Sequence, residues 1–199
     1  MNLPNRLTIA RLFLTAAFVV LMSIPHGVCY AVGFVVFVAA TITDYYDGKI
    51  ARERNLVTNF GKLLDPVADK VLLSAGFVML MTLDKHLALP GWAVIVILAR
   101  EFLVTGARSL AASEGVVIAA NKYGKTKAAL QMTYVIAFLF FVILGQGLAS
   151  FAVVWAPYYQ KVVHEASYWA GILVAVYTVY SGVQFARINW GVLSLDTSL

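Results

Sequence analysis

Charge is what this chain has least of. Only 13% of its 199 residues are charged and 61% are hydrophobic, with a mean hydropathy of +0.83, whereas ordinary soluble domains carry roughly 25% charged and 45–50% apolar residues. That excess is too large for a soluble core and points to an integral membrane protein. A single cysteine, Cys29, excludes an internal disulfide and reads as a small apolar helix residue. No repeat, linker or low-complexity segment interrupts the chain, so residues 1–199 read as one compact helical domain. No cleavable signal peptide is evident, because the first apolar run follows Arg6 and Arg11 without a small-residue cleavage site. A net charge of +5 would suggest a nucleic-acid partner in a soluble protein. In this one it reads as bases flanking membrane spans, with no nucleic acid.

The apolar runs predict an all-α bundle of six transmembrane helices, preceded by an N-terminal interfacial or juxtamembrane segment. The spans begin near 7, 30, 71, 90, 128 and 168, and the aromatic stretch 149–167 reads as an external interfacial segment. Of the 15 basic residues only Lys85 and Lys161 fall outside by this scheme. Both termini and the acidic stretch then face the cytoplasm, in a multi-pass protein of the cytoplasmic (inner) membrane.

Against that background four acids stand out: Asp44, Asp47, Asp65 and Asp69. The second apolar run is too short to cross a bilayer before Asp44, so its helix must continue through the acids. Asp44 would lie roughly 20 Å in from the outer edge, in the inner leaflet. Helical spacing puts Asp44 and Asp47 on one face, and Asp65 and Asp69 on one face of the next helix. Four anions around one point need a counter-ion. An all-oxygen set without His or Cys favours Mg²⁺ or Mn²⁺. Gly48, Ala51 and Gly61 leave room beside them for a bulky ligand.

The full spacing, D-x2-D-G-x2-A-R-x8-G-x3-D-x3-D from Asp44 to Asp69, resembles the signature of the CDP-alcohol phosphotransferases. These membrane enzymes move a phosphatidyl or similar group from a CDP-linked donor to an alcohol. The resemblance implies two bridging ions on Asp44, Asp47 and Asp65, with Asp69 as general base and a further ligand. It also implies that Gly48, Ala51 and Gly61 admit the CDP moiety, that Arg52 and Thr58 contact it, and that the enzyme is a homodimer. The opening N-L-P-N-R-L-T-x-x-R, the run R-E-F-L-V-T-G-A-R and the loop G-K-T-K resemble the branch that joins CDP-diacylglycerol to glycerol 3-phosphate.

Arg100, Arg108, Lys125 and Lys127 support an anionic acceptor independently, as candidate ligands of its phosphate. For Arg100 a pairing with Glu101 or with a motif aspartate is the alternative. Ala128 and Ala16 depart from the residues that this branch leads one to expect. Other acceptors within the family are phosphatidylglycerol and inositol phosphate. A cation or proton transporter, the reading from another class, predicts ionisable residues continuing to the external face. The outer halves of the second, third and fourth spans are nearly free of them.

Overall fold

The computed structural model describes residues 3–54, 59–83, 87–119, 121–151 and 154–193, with side chains except at 3–7, 44–66, 69, 150–151 and 192–193. Six long helices make up the described residues: α1 (Leu3–Ser23), α2 (Gly27–Arg54), α3 (Asn59–Thr82), α4 (Gly91–Ser113), α5 (Lys122–Phe151) and α6 (Ala156–Ile188). A short α7 (Trp190–Leu193) follows, and no strand occurs among the described residues.

The breaks between helices have local causes. Pro25 interrupts the apolar run after α1, since proline offers no N–H and clashes with the preceding turn. The end of α4 is closed by Gly115 at φ 79°. The Gly115 N–H donates to the Ala112 carbonyl at 3.1 Å and the Val116 N–H to the Ala111 carbonyl at 2.8 Å. This paired closure needs a left-handed residue, which glycine supplies without a Cβ penalty. Asn121 opens α5, its side-chain oxygen accepting the Gly124 N–H at 2.8 Å, which satisfies one of the donors a helix start leaves free.

Neighbour pairs show how the helices run. Phe18 lies against Phe37 at 5.0 Å between ring centroids, and Met22 lies against Gly33, so α1 and α2 are antiparallel. Thr41 meets Met132 and Phe34 meets Phe140, making α2 and α5 antiparallel. Gln131 meets Thr178 while Gly145 meets Tyr159, making α5 and α6 antiparallel. Leu89 lies against Gly171, and Arg100 against Gly182, so α4 and α6 run together. The starts of α1, α3 and α5 and the ends of α2, α4 and α6 therefore gather at one end of the bundle. All the acids singled out above lie on helical turns at that end.

The core is apolar and dense. Phe18, Phe37, Phe77, Leu80, Ile97, Val135 and Leu139 are fully buried. At Gly76 a Cβ would come within 2.8 Å of Val135 Cγ1 and 3.0 Å of the Phe37 ring, so α3 crosses its neighbours at a distance only glycine permits. The outer faces are as apolar as the inner ones, exposing Phe13, Ile95, Leu103, Leu173, Val176 and Val183. Helices apolar all round belong in lipid. Two of them, Lys122–Ala149 of α5 and Ala156–Ile188 of α6, are long and apolar enough to cross a membrane.

Three local expectations change. The sixth helix, expected from near 168, begins at Ala156, so most of the described residues of the stretch 149–167 belong to the end of α5 and the first turns of α6. Its aromatic residues face outward at the start of α6, where Trp155 and Tyr158 are exposed, and their amphipathic character does not distinguish a loop from a helix at the interface. Lys122, Lys125 and Lys127 sit on the first turns of α5 rather than in a loop, because Asn121 caps the helix ahead of them. Helix α3 begins at Asn59, well ahead of the span expected near 71, so Asp65 lies in its second turn.

Candidate functional site

Asp44, Asp47, Gly48, Ala51 and Arg52 fall on the last turns of α2, and Gly61, Asp65 and Asp69 on the first turns of α3. The backbone there is helical throughout, so the register that pairs Asp44 with Asp47 and Asp65 with Asp69 holds. Thr58 lies outside the described residues, and the side chains of the other eight lie outside the described side chains. Among the described residues no three of His, Cys, Asp and Glu come together as a metal site. The donor set available from the two helices is four carboxylates on continuous helical backbone. That is the hard, all-oxygen chemistry that a divalent ion such as Mg²⁺ takes.

The adjoining ends of α3, α4, α5 and α6 hold a group of buried charges. Glu101 on α4, 4% exposed, is its centre. Lys127 on α5, 5% exposed, is ion-paired to Glu101 Oε1. Lys70 on α3 stands 3.6 Å from Glu101 Oε2, and Arg100 Nη1 stands 3.5 Å from Oε1. Arg100 also donates through Nη2 to Ser181 Oγ on α6 at 2.8 Å. A Cβ on Gly182 would lie 3.1 Å from Arg100 Cγ, so the arginine stem crosses α6 at its glycine. A single carboxylate thus ties together three cations from three helices. Charges in so apolar a bundle are costly and face inward with partners.

Around this group lie further buried polar residues. Gln131 donates to Thr178 Oγ1 at 3.0 Å, while its own Oε1 is buried without a partner. Thr8 and Arg11 on α1 are buried at the same end. Arg108, two turns beyond the cluster on α4, places its guanidinium 5.4 Å from the centre of the Phe185 ring, and its Nε is buried without a partner. Lys125 is exposed on the first turn of α5.

Of the residues proposed from sequence as acceptor ligands, Arg100 and Lys127 come together. Arg108 lies near them, and Lys125 is at the surface. Arg100 pairs with Glu101, the alternative that the sequence offered for it. Sequence reasoning gave Glu101 no role beyond a partner for Arg100 and counted Lys70 only as a topology signal. The available clue was that Glu101 is the one acid within α4.

An apolar groove of about 410 Å³ runs beside the cluster between α4 and α6, lined by Val96, Leu103, Val104, Val183 and Phe185 with Arg100 in its wall. The bundle end thus carries the aspartate-bearing turns of α2 and α3, the buried group of Glu101 with Lys70, Arg100 and Lys127, and apolar faces. That combination suits a reaction between phosphate-bearing molecules at a lipid surface.

Comparison with known proteins points the same way. Residues 1–177 match the family described as CDP-alcohol phosphatidyltransferase. The chain is 38% identical over 204 residues to the CDP-diacylglycerol–glycerol-3-phosphate 3-phosphatidyltransferase of Bacillus subtilis, covering 96% of this chain and 97% of that protein. It is 37% identical over 180 residues to the Rickettsia typhi protein of the same name, covering 90% and 94%. A third of that name, from Salmonella paratyphi A, is 38% identical over 136 residues, covering 66% and 72%.

Proposed function

Because the chain belongs to the CDP-alcohol phosphatidyltransferase family, a family of divalent-metal-dependent membrane transferases, we propose that it transfers the phosphatidyl group of CDP-diacylglycerol to glycerol 3-phosphate. The products are phosphatidylglycerophosphate and CMP. What carries the acceptor assignment is the buried cluster of Lys70, Arg100 and Lys127 at the end that bears the acids. The names borne by relatives that match most of the chain agree with it.

In this reading the reaction runs as the family resemblance implies. Asp69 removes the proton of the acceptor hydroxyl as its oxygen attacks the β-phosphorus of the donor. The new P–O bond forms as the bond to the CMP oxygen breaks, and CMP leaves with the electron pair. Asp44, Asp47 and Asp65, with Asp69, would hold two Mg²⁺ or Mn²⁺ ions. When bound, those ions neutralise the pyrophosphate and stabilise the departing CMP. Gly48, Ala51 and Gly61 let the CDP moiety approach the helix backbones, and Arg52 and Thr58 contact it. Arg100, Arg108, Lys125 and Lys127 receive the acceptor phosphate.

In this reading residues 1–199 form one domain with six membrane spans. Both termini and the site face the cytoplasm in the inner membrane, and the enzyme acts as a homodimer. A short apolar stretch ahead of Asp44 and another behind Asp69 set the acids below the cytoplasmic surface. The diacyl donor reaches them from the bilayer and the soluble acceptor from water.

The test is an acceptor panel with detergent-purified protein, CDP-diacylglycerol and Mg²⁺ or Mn²⁺, following CMP release. Release with glycerol 3-phosphate, and not with phosphatidylglycerol, inositol 1-phosphate, inositol or serine, is the expected result. Release with another alcohol alone overturns the acceptor. Metal-independent release overturns the ion assignment.

A further inference from the structure

We propose that the apolar groove between α4 and α6 seats one acyl chain of the CDP-diacylglycerol donor, aligning the lipid on the cations at the groove's acid-bearing end and reading the length of its chain. This rests on the reading of the protein as a membrane transferase with a diacyl donor.

The groove has the direction and the depth that a chain needs. Helices α4 and α6 run together, with Leu89 against Gly171 and Arg100 against Gly182, so the groove follows the helix axes. Val96 and Val179 line its deep end, and Ala107 and Ala186 line the end nearer the acids. The rise from residue 96 to residue 107 is about 16 Å at 1.5 Å per residue. That is half of a hydrocarbon core about 30 Å thick, the depth of one leaflet. Leu103, Val179 and Val183 are exposed, so a chain enters sideways from lipid. Arg100 is the one charged residue in the lining.

Charge fixes which end of the occupant is polar. Arg108 follows Ala107 at the acid-bearing end, its guanidinium 5.4 Å from the centre of the lining Phe185 ring. The Nε atoms of Arg100 and Arg108 are both buried without a hydrogen-bond partner. Cations at one end of an apolar slot suit a lipid with a phosphate head, whereas an apolar helix of a second copy leaves both Nε groups unmet. Arg100 and Arg108 are also assigned to the acceptor phosphate, and the two assignments agree. Transfer joins the acceptor to the phosphatidyl group, so a phosphate on the arginines and a chain in the groove belong to one product molecule.

Against bulk lipid the groove offers little net attraction, since lipid tails are as apolar as its walls. Its contribution is orientation: a chain held along the helix axes keeps the β-phosphorus in place for attack. The effect therefore shows in kcat/KM for donors whose chains reach the deep end.

The test fills that end. Ala99→Phe places a ring in the deep half from an exposed position on α4, and Leu173→Phe places the same ring on an exposed position of α6 outside the groove. Both are compared with the wild type as full chains in detergent with Mg²⁺ and glycerol 3-phosphate. The donors are CDP-dipalmitoylglycerol, whose chains reach the deep end, and CDP-dioctanoylglycerol, whose chains stop short of it. Ala99→Phe should lower kcat/KM at least fivefold for the dipalmitoyl donor and less than twofold for the dioctanoyl donor, with KM for glycerol 3-phosphate unchanged. Leu173→Phe should leave the ratio between the two donors at the wild-type value. An Ala99→Phe enzyme that keeps the wild-type chain dependence overturns the proposal. So does an equal loss with both donors, and dissociation of a dimer in the same variant would then identify the groove as the contact with a second copy. If CMP release requires phosphatidylglycerol or inositol 1-phosphate instead of glycerol 3-phosphate, the acceptor assignment falls while the same donor comparison, run with that acceptor, still decides the groove. No release from CDP-diacylglycerol with any acceptor overturns both.

Discussion

At the end away from the acids, the hydrogen bonds among the described side chains that join the helices are neutral. Ser167 Oγ accepts the Ala88 N–H at 2.8 Å and donates to the His164 carbonyl, while the Tyr134 hydroxyl donates to the Ser167 carbonyl at 2.9 Å. Tyr159 closes the α5–α6 hairpin by donating to the Phe141 carbonyl at 2.8 Å. At the opposite end the fastening is ionic, built on Glu101, Lys70, Arg100 and Lys127. Neutral hydrogen bonds tie helices together in lipid with a modest gain, on the order of 1 kcal/mol each. The ionic end carries a desolvation penalty that the neutral end shows to be avoidable. Fastening helices does not require the charges, so their presence reflects chemistry at that end.

The sharpest way to test this division is to remove one acid from the ionic end. Asp69→Asn should lower kcat by about a thousandfold, within the range that a lost general base gives, while binding of CDP-diacylglycerol persists. Stopped turnover with retained donor binding supports the base assignment, and residual turnover within tenfold of wild type removes it. Next comes a substitution in the apolar core. Phe77 is fully buried against Tyr134, its ring centroid 5.8 Å away, and Phe77→Ala should cost ~3 kcal/mol of stability, at the lower end for such a cavity. Thermal unfolding in detergent measures that loss, and the folded enzyme should keep both KM values. A changed acceptor KM here would blur the division between the two ends.

The helical register of the four aspartates was legible in the sequence because their spacing is local. Asp44 with Asp47, and Asp65 with Asp69, lie within a turn of each other whatever the rest of the chain does, and apolar runs show where helices lie. The ionic cluster was not, since residues 70, 101 and 127 are brought together only by the packing of α3, α4 and α5. Nothing local marks Glu101 as their shared partner, and its neighbour Arg100 draws the eye first. The start of α5 was misread because Gly124 among lysines resembles a loop, and only the hydrogen bond that Asn121 accepts from the Gly124 N–H shows a capped helix. The start of α6 was missed for a similar reason: aromatic and polar residues near Trp155 mark an interface without saying whether the backbone is coiled or helical.

A graded comparison within the ionic end follows. Arg108 lies over Phe185 with a buried Nε, whereas Lys125 is exposed. Arg108→Ala should raise KM for glycerol 3-phosphate about tenfold, equivalent to ~1.4 kcal/mol of acceptor binding. Lys125→Ala should raise it about threefold, and the effect should shrink in high salt because exposed charges are screened. Equal effects that share one salt dependence would show that depth does not grade these cations.

The smallest effects should come from single hydrogen bonds, and they make the most direct comparison of the two ends. Tyr134→Phe removes the donor to the Ser167 carbonyl at the neutral end, and Ser181→Ala removes the acceptor of Arg100 Nη2 at the ionic end. Each deletes one bond of nearly equal length, so each should cost about 1 kcal/mol of stability. Their kinetic consequences should separate. With Tyr134→Phe the acceptor KM stays at the wild-type value, because Ser167 and Ala88 lie far along the bundle from the cations. With Ser181→Ala the guanidinium loses one of its two anchors, and the acceptor KM should rise two- to threefold at unchanged donor KM. If both variants lower the melting temperature alike and leave acceptor KM untouched, Arg100 is a helix fastener, and the acceptor site must be built from Lys127 and Arg108 without it.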